Sequence, residues 1–167
     1  MTDAIRTAIE GASAYLTEHP DEARYTDSVA TARVEGGLRI RVDGPAGESL
    51  TTDMPGAVGG AGSAPSPGWF LRAAVAACVT SLAVMRAAQL GIENFTCEVE
   101  VDSASDDRGI LGLDASVPGG PLSMRIGFRM TPAESSRLRE IADWAVEHCP
   151  VSDAVRRAVP VRIELLD

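Results

Sequence analysis

The chain has 167 residues, of which 45% are hydrophobic and 23% are charged, and its formal net charge is −9. This length suits one domain, and the composition is typical of a soluble globular protein. The acidic balance argues against nucleic acid and anionic membranes as partners, because both are negatively charged. All 15 basic residues are arginine, which excludes Schiff-base chemistry, a Walker lysine and a lysine general base.

The N-terminus does not have the pattern of a secretory signal. Asp3, Arg6 and Glu10 interrupt it, and no apolar run follows. The longest uncharged apolar stretch lies between Arg72 and Arg86, which we expect to be too short to span a bilayer. We therefore expect a cytoplasmic protein whose three cysteines are free or cycling thiols, because that compartment keeps thiols reduced.

Helical spacing dominates the first residues, from about Asp3 to His19. Its apolar positions share one face, and Pro20 ends the helix; these positions are Ile5, Ile9, Ala12 and Leu16. We expect a helical arm over residues 1–26, followed by one domain over residues 27–167.

Strands and a loop are expected next. The strands cover about 28–34, 38–42 and 50–52, with Gly36-Gly37 as the turn between the first two. The segment from Pro55 to Pro67 is rich in glycine and proline, but its spacing fits no phosphate-binding pattern. We expect it to be a flexible or tightly turned connection.

A long helix is predicted from about Gly68 to Leu90. Ser66 is a good N-cap, Pro67 is tolerated at the first helical position, and Gly91 ends the helix. Because most of its faces are apolar, we expect it to lie at the centre of the fold or at a large subunit interface.

The second half of the chain alternates strands and helices. Strands are predicted over 95–101, 110–117 and 122–130, and a capping box at Thr131–Glu134 starts a helix that ends at Cys149-Pro150. A short helix over 153–158 and a strand over 161–166 complete the chain. This order indicates an α+β fold with antiparallel sheets.

The cysteines are the main candidates for chemistry. Cys149 stands at a helix break, where backbone N–H groups favour a thiolate, so it is either reactive or a quiet cap of that break. Cys78 lies about three turns into its helix and would need a nearby cation to react; otherwise it is a core residue. Cys97, on the apolar face of a strand, suits a structural role. Because Cys78 and Cys149 can meet in the fold, redox thiol chemistry competes with the view that both are core cysteines.

Other kinds of site find little support. His19 and His148 are the only histidines and no C-x-x-C or H-x-x-x-H spacing occurs, so no metal site is expected. Although His148 precedes Cys149, neighbours on a helix point about 100° apart, which argues against a cysteine protease. We expect His148 to contact the last carbonyls of its helix. The absence of G-x-S-x-G argues against a serine hydrolase.

Two motifs carry a resemblance to a known family. Ser66-Pro67 with the helix run Ala76-Ala77-Cys78 resembles the OsmC-like family, which includes the organic hydroperoxide resistance proteins. The helix that leads into Cys149-Pro150-Val151-Ser152 is similar to the same family, as are the glycine-rich loop and the segment around Asp53. The resemblance covers about residues 28–166 and leaves the N-terminal arm outside.

The resemblance implies an α+β fold in which antiparallel sheets pack around two central helices and two chains intertwine as a homodimer, with the N-terminal helix as an addition. It implies a thiol peroxidase for organic or fatty-acid hydroperoxides. Cys78 would be the peroxidatic cysteine, which becomes a sulfenic acid, and Cys149 the resolving one, which condenses with it to a disulfide. A dithiol reductant would restore both thiols, with no metal or organic cofactor.

Two positions depart from the family pattern, which has a glutamate directly after the proline of the cysteine helix and an arginine beside the peroxidatic thiol. Gly68 occupies the glutamate position, and no arginine lies between Arg41 and Arg72. Arg39 is our candidate for the activating cation, with Arg33 and Arg41 behind it, although each is also typical of a solvated strand. The alternatives are a catalytically weak module that binds an apolar ligand at the dimer interface, and a thiol redox sensor.

Overall fold

The computed structural model describes residues 2–157 and 159–166 and has the predicted α+β architecture with antiparallel sheets. The chain divides into two compact units. One comprises Met1–Ile9 with Ala74–Asp167, and the other comprises Glu10–Ala73. We call them the thiol unit and the hairpin unit, because the first contains all three cysteines and the second a β-hairpin.

The hairpin unit contains a three-stranded antiparallel sheet in the order β1 (Thr31–Gly36), β2 (Arg39–Asp43) and β3 (Ser49–Thr52). The turn between β1 and β2 includes Gly37, whose φ of 57° lies in the left-handed region that favours glycine. The three predicted strands are therefore confirmed, with β1 shifted towards the turn. The glycine- and proline-rich segment after β3 is a loop with one 3₁₀ turn at Gly56–Val58.

Two long helices cross the boundary between the units. The first is α1 (Thr2–Glu18), on whose apolar face Ile5 and Ile9 are half-buried and Leu16 is exposed. The second is α2 (Pro67–Gln89), whose start is as predicted: the N–H of Trp69 donates to the Ser66 hydroxyl at 3.2 Å.

The length and composition of α2 are sufficient for a membrane span, with a mean hydropathy of 1.6 in its most apolar window. The stretch between Arg72 and Arg86, which we expected to be too short for a span, is only part of this helix. This property is weak evidence by itself, because the core helix of a soluble protein meets the same test. One face of α2 does supply core residues, which recur at four-residue spacing; they are Val75, Val79, Ala83 and Ala87.

The thiol unit packs this face of α2 with a two-stranded sheet and a further helix. The sheet pairs β4 (Thr96–Ala104) with β5 (Ser123–Thr131) in antiparallel register, with Val99 opposite Phe128. Alternate residues of both strands are half-buried, as the sequence pattern predicts. Their inward side chains and Ile141 of α4 (Ser135–Glu147) join the core. This arrangement places α2, α4 and the sheet around one hydrophobic cluster.

The predicted strand over 110–117 is wrong. A single helical turn, α3 (Asp107–Ile110), occupies its start, and turns follow. The Asp106 carboxylate accepts a hydrogen bond from the N–H of Arg108, and Asp114 accepts two from Ser116. These local bonds between side chains and backbone compete with strand formation.

The predicted capping box is also wrong. Thr131 is the last residue of β5, where it pairs with Thr96 and shares a hydroxyl hydrogen bond with it at 2.7 Å. A residue with extended backbone and a sheet partner does not cap this helix, and α4 begins only at Ser135, with Glu134 at the N-cap position.

The C-terminal predictions are partly wrong. The short helix α5 spans Pro150–Arg156, so it begins three residues before its predicted start; the predicted end at Ala158 lies outside the described residues. Residues 161–166 form no strand, because they pair with no other strand of the described chain. Their apolar side chains are exposed, including Ile163 and Leu165.

Candidate functional site

A junction between two helices holds Cys149. α4 ends with His148 as its C-cap, and α5 begins with Cys149 as its N-cap and Pro150 as its first residue. Proline lacks an N–H group and cannot continue α4, whereas its fixed φ suits the first turn of a new helix. The sequence C-P therefore breaks the helix at this point and turns the Cys149 side chain into the core, where its exposure is 0%.

His148 contacts the last turn of its own helix, α4. Its Nδ1 lies 2.9 Å from the carbonyl oxygen of Trp144, and the two rings stack with their centroids 4.2 Å apart. Arg86 of α2 covers the same Trp144 ring at 5.5 Å from its centroid, and it also forms an ion pair with Glu140. The predicted role of His148 at the helix C-terminus is confirmed.

Cys78 meets Cys149 in the thiol unit. Cys78 is half-buried on α2 and packs against the cluster that contains Cys149, and each thiol shifts the pKa of the other. No disulfide joins the cysteines, which are all free. The structure therefore brings together the two cysteines that the sequence selected, although their chemical roles remain a prediction.

The surroundings of the pair shift the pKa values of the two thiols in opposite directions. Burial raises the pKa of the Cys78 thiol above its usual value, and the hydrogen bond with Cys149 raises it further. Burial also disfavours ionisation of Cys149. Hydrogen bonding from Ser152, from Cys78 and from the N–H of Val151 outweighs this effect, so the pKa of Cys149 is lowered. Of the two thiols, Cys149 is therefore the one that ionises more readily.

Ser152 is the residue of this site that the sequence analysis did not select. Its backbone N–H donates to the Cys149 sulfur at 3.3 Å, across the first turn of α5. The available signal was its position, three residues after an N-cap, where a backbone N–H faces the cap.

Cys97 lies on β4 and packs against the same core cluster. Burial raises the pKa of its thiol, which suits the structural role expected from the sequence. It lines an open groove of about 820 Å³ between the β4–β5 sheet and α4, together with apolar side chains of both. These are Phe128, Met130, Leu138 and Ala142.

The candidate arginines belong to the hairpin unit. The Nε of Arg39 lies 2.9 Å from Glu35, and its Nη1 donates to the Ser63 hydroxyl at 2.8 Å. Arg33 and Arg41 both pair with Asp43. Each guanidinium thus has an acidic neighbour on its own sheet, and the role of Arg39 towards a thiol remains a prediction.

Asp53 organises the loop that follows β3. It is buried, with 2% exposure, and its carboxylate accepts hydrogen bonds from the N–H of Met54 and from the N–H and hydroxyl of Ser63. These bonds, chiefly those from Ser63, hold the pKa of Asp53 below its usual range. The loop connects the sheet of the hairpin unit to the start of α2. Gly68, in the first turn of α2, has space for a side chain. A Cβ at this position would meet only the Arg72 Nη1 and the Ser66 hydroxyl, at 3.8 and 3.9 Å.

A metal centre finds no donor set in the described ranges, where no group of three or more His, Cys, Asp or Glu side chains is arranged to hold an ion. The junction itself offers the Cys149 thiol, the nearby Cys78 and the backbone N–H of Ser152.

Comparisons with known proteins agree on one family. The family model described as OsmC-like protein matches residues 60–164, which is more than half of the chain. A comparison with curated protein sequences gave no match.

Among solved structures, the organic hydroperoxide resistance protein OhrB of Bacillus subtilis is 26% identical, with a TM-score of 0.50 over 84% of this chain and 98% of that one. An organic hydroperoxide resistance protein OsmC from Legionella pneumophila is 24% identical, with a TM-score of 0.55 over 80% and 91%. An OsmC-like protein from Mycoplasma pneumoniae, 14% identical, shares the fold with a TM-score of 0.60 over 81% and 89%.

Proposed function

Because the chain belongs to the OsmC-like protein family, we propose that it is a thiol-dependent peroxidase that reduces organic hydroperoxides with Cys78 and Cys149. The contact between these two thiols is the observation that carries the proposal. The hydroperoxide resistance proteins among its structural relatives support the choice of substrate.

The exposure of the two thiols supports the proposed order of the reaction. Cys149 is fully buried and Cys78 is only half-buried, so a substrate reaches the sulfur of Cys78 more readily. The Cys78 thiolate attacks the distal oxygen of the hydroperoxide, the O–O bond breaks, and the alkoxide leaves and takes a proton to form the alcohol. The sulfur of Cys149 then attacks the Cys78 sulfenic acid and expels water, which forms the disulfide.

Regeneration needs two electrons from outside the chain. A dithiol reductant attacks the disulfide, passes through a mixed disulfide and restores both thiols. We include no metal or organic cofactor in this cycle, since each step is thiol chemistry.

Arg39 is the proposed cation for the Cys78 thiolate. Its ion pair with Glu35 is solvent-exposed on both sides, and such pairs contribute little free energy. The guanidinium can therefore exchange Glu35 for another anion at small cost. Its fixed planar charge suits a thiolate or an oxyanion.

The proposed working form is a cytoplasmic homodimer, with residues 1–26 as an arm and residues 27–167 as the family domain. Many large apolar side chains are exposed, and this supports self-association, because burying them against a partner would be favourable. Examples are Val34 at 70%, Leu113 at 71% and Leu165 at 96% exposure. Sedimentation equilibrium would test this state directly, and a monomer at micromolar concentration would contradict it.

A second candidate function is the binding of an apolar ligand. The groove beside Cys97, with its lining of Phe128, Met130 and Leu138, favours this reading, as does glycine in place of the family glutamate at position 68. A lipid that co-purifies with a protein whose thiols resist peroxide would support it. A third, a redox sensor, predicts slow oxidation followed by a change in partner binding.

The first experiment is intact mass and peptide mapping of the reduced protein after one equivalent of cumene hydroperoxide. Rapid loss of two hydrogens, with Cys78 joined to Cys149, is the expected result. Cys97→Ser should behave as wild type, whereas Cys78→Ser should remain reduced at Cys149. Free thiols in the wild type after prolonged exposure would overturn the peroxidase proposal.

A further inference from the structure

A series of hydrogen bonds links Arg39 to the buried carboxylate of Asp53 within the hairpin unit. The Arg39 Nη1 donates to the Ser63 hydroxyl at 2.8 Å, and that hydroxyl donates to the Asp53 Oδ2 at 2.8 Å. Arg39 lies on β2 and Ser63 lies in the loop after β3, so these bonds join the sheet to the loop. Asp53 ends the series and is only 2% exposed.

The direction of these bonds follows from the chemistry of the three groups. A guanidinium only donates, an ionised carboxylate only accepts, and a hydroxyl has one proton to donate. The Ser63 proton therefore points to Asp53, which leaves a lone pair of the Ser63 oxygen for Arg39. The bonds to Asp53 favour its ionised form, so its negative charge polarises the hydroxyl and strengthens the bond to Arg39.

The Ser63 hydroxyl is held in place without any contribution from Arg39. The backbone N–H of Ser63 donates to the same Asp53 Oδ2 at 2.9 Å, and the N–H of Met54 donates to the Asp53 Oδ1 at 2.8 Å. These bonds satisfy the buried carboxylate within its own loop. The further bond from Arg39 therefore mainly orders the guanidinium, which gains a partner of fixed position.

Arg39 has a second partner of a different kind. Its Nε lies 2.9 Å from a Glu35 carboxylate oxygen, and the two side chains of this ion pair are 41% and 36% exposed. An exposed pair contributes little free energy, so another anion can replace Glu35 at small cost. The bond to Ser63 leads instead to a buried group. Arg39 therefore has one exchangeable partner and one fixed partner.

We propose that Ser63 and Asp53 are positioning residues that hold the Arg39 guanidinium in place during the reaction. The contact with Glu35 is exchanged for the Cys78 thiolate, while the Arg39 Nη1 stays on the Ser63 hydroxyl. The inference rests on the proposed function for the role of Arg39 and deepens it by naming the residues that orient this cation. A charged group that is already oriented needs little reorganisation when the reacting charge develops, so the anchored guanidinium should speed the reaction.

The first test follows the Arg39 side chain in the full-length protein without any substrate. NMR of the arginine side chains measures rotation about the Cζ–Nη bonds, which a hydrogen bond at Nη1 slows, and Arg39→Lys identifies the signal by its loss. Ser63→Ala should speed this rotation by about fivefold, as expected for the loss of one hydrogen bond. Ser63→Thr keeps the hydroxyl and should restore the slow rotation. Ser49→Ala, at an exposed serine of β3, is the control and should change nothing.

The second test is a double-mutant cycle on the rate at which cumene hydroperoxide produces the disulfide between Cys78 and Cys149. Ser63→Ala should slow this reaction by about fivefold, and Ser63→Thr should restore it. In the Arg39→Ala background, Ser63→Ala should cause no further loss, because Ser63 acts through Arg39. An equal loss in both backgrounds would overturn the inference and assign Ser63 to the loop alone.

The two readouts distinguish this inference from the peroxidase proposal. Unchanged rotation of the Arg39 guanidinium in Ser63→Ala would overturn the inference, whatever the protein does with hydroperoxide. Faster rotation in a protein whose wild type never reacts would uphold the anchoring of Arg39 and reject the peroxidase proposal instead. If the wild type reacts and Arg39→Ala reacts equally fast, the positioning role is rejected while the thiol pair stands.

Discussion

The side chain of Cys78, midway along α2, lies against the side chain of Cys149 at the junction of α4 and α5. The contact joins two segments far apart in the chain, and it depends on the core that packs α2 against α4. Substitutions at the thiols, in that core and in the loop that leads to α2 should therefore have separable effects.

Removing the resolving thiol should change the fate of Cys78. In Cys149→Ser, the sulfenic acid on Cys78 has no partner thiol, so excess hydroperoxide should convert it to a sulfinic acid and multiple turnover should stop. Mass spectrometry should find two added oxygens on the Cys78 peptide. Cys97→Ser is the matched control and should still form the disulfide. A stable, unmodified Cys78 in the variant would contradict the proposed order of the two thiols.

The core beneath the thiols should be sensitive to cavities. Ile141 is fully buried with Val79 and Ala145, so Ile141→Ala should lower the free energy of unfolding by about 2–5 kcal/mol and Ile141→Val by about 0.5–1.5 kcal/mol. Urea unfolding followed by circular dichroism measures both. Val161→Ala, at a side chain that is 85% exposed, should change stability by less than about 0.5 kcal/mol. Equal effects at both sites would show that Ile141 is not a core residue.

The loop between β3 and α2 should tolerate no side chain at Gly60. A Cβ there would lie 1.8 Å from the Met54 carbonyl oxygen, so the backbone itself must move. Gly60→Ala should therefore cost about 1–3 kcal/mol. Gly56→Ala is the control in the same loop, because a Cβ at that position meets no atom within 4 Å. Thermal melts that fail to separate the two variants would show that the loop adjusts freely.

Asp53 should make stability depend on pH in the acid range. Its hydrogen bonds from Ser63 lower its pKa below the usual value of 3.8, so its contribution is present above that value and is lost as pH falls through the lowered pKa. Asp53→Asn should lower the urea midpoint at pH 7, and the difference from wild type should shrink at acid pH. Exposed Asp27 provides the control substitution, Asp27→Asn. A constant difference at every pH would argue that the charge of Asp53 is irrelevant.

Local patterns determined much of the fold. The alternation in β4 and β5, the Ser66-Pro67 start of α2 and the break at Pro150 each depend on neighbours within a few residues, and all three agree with the structure. The motifs around Cys78 and Cys149 were specific enough to identify the family, which the match over residues 60–164 confirms.

Errors arose where tertiary or side-chain contacts override local pattern. Thr131 has the spacing of a helix cap, yet its sheet partner Thr96 keeps it in β5. Apolar and polar residues alternate over 110–117, which suggests a strand. The Asp106 and Asp114 carboxylates instead accept hydrogen bonds from nearby backbone N–H groups.

The sequence by itself therefore determined the class of fold, the family and the two cysteines worth testing, because these depend on residue types and short-range spacing. Only the tertiary structure decided that Cys78 packs against the cluster that contains Cys149, that the pKa of Cys149 is lowered while that of Cys78 is raised, and that the Ser152 hydroxyl is buried. These properties depend on burial and on donors converging from α2 and α5, and chain order does not encode such distances directly.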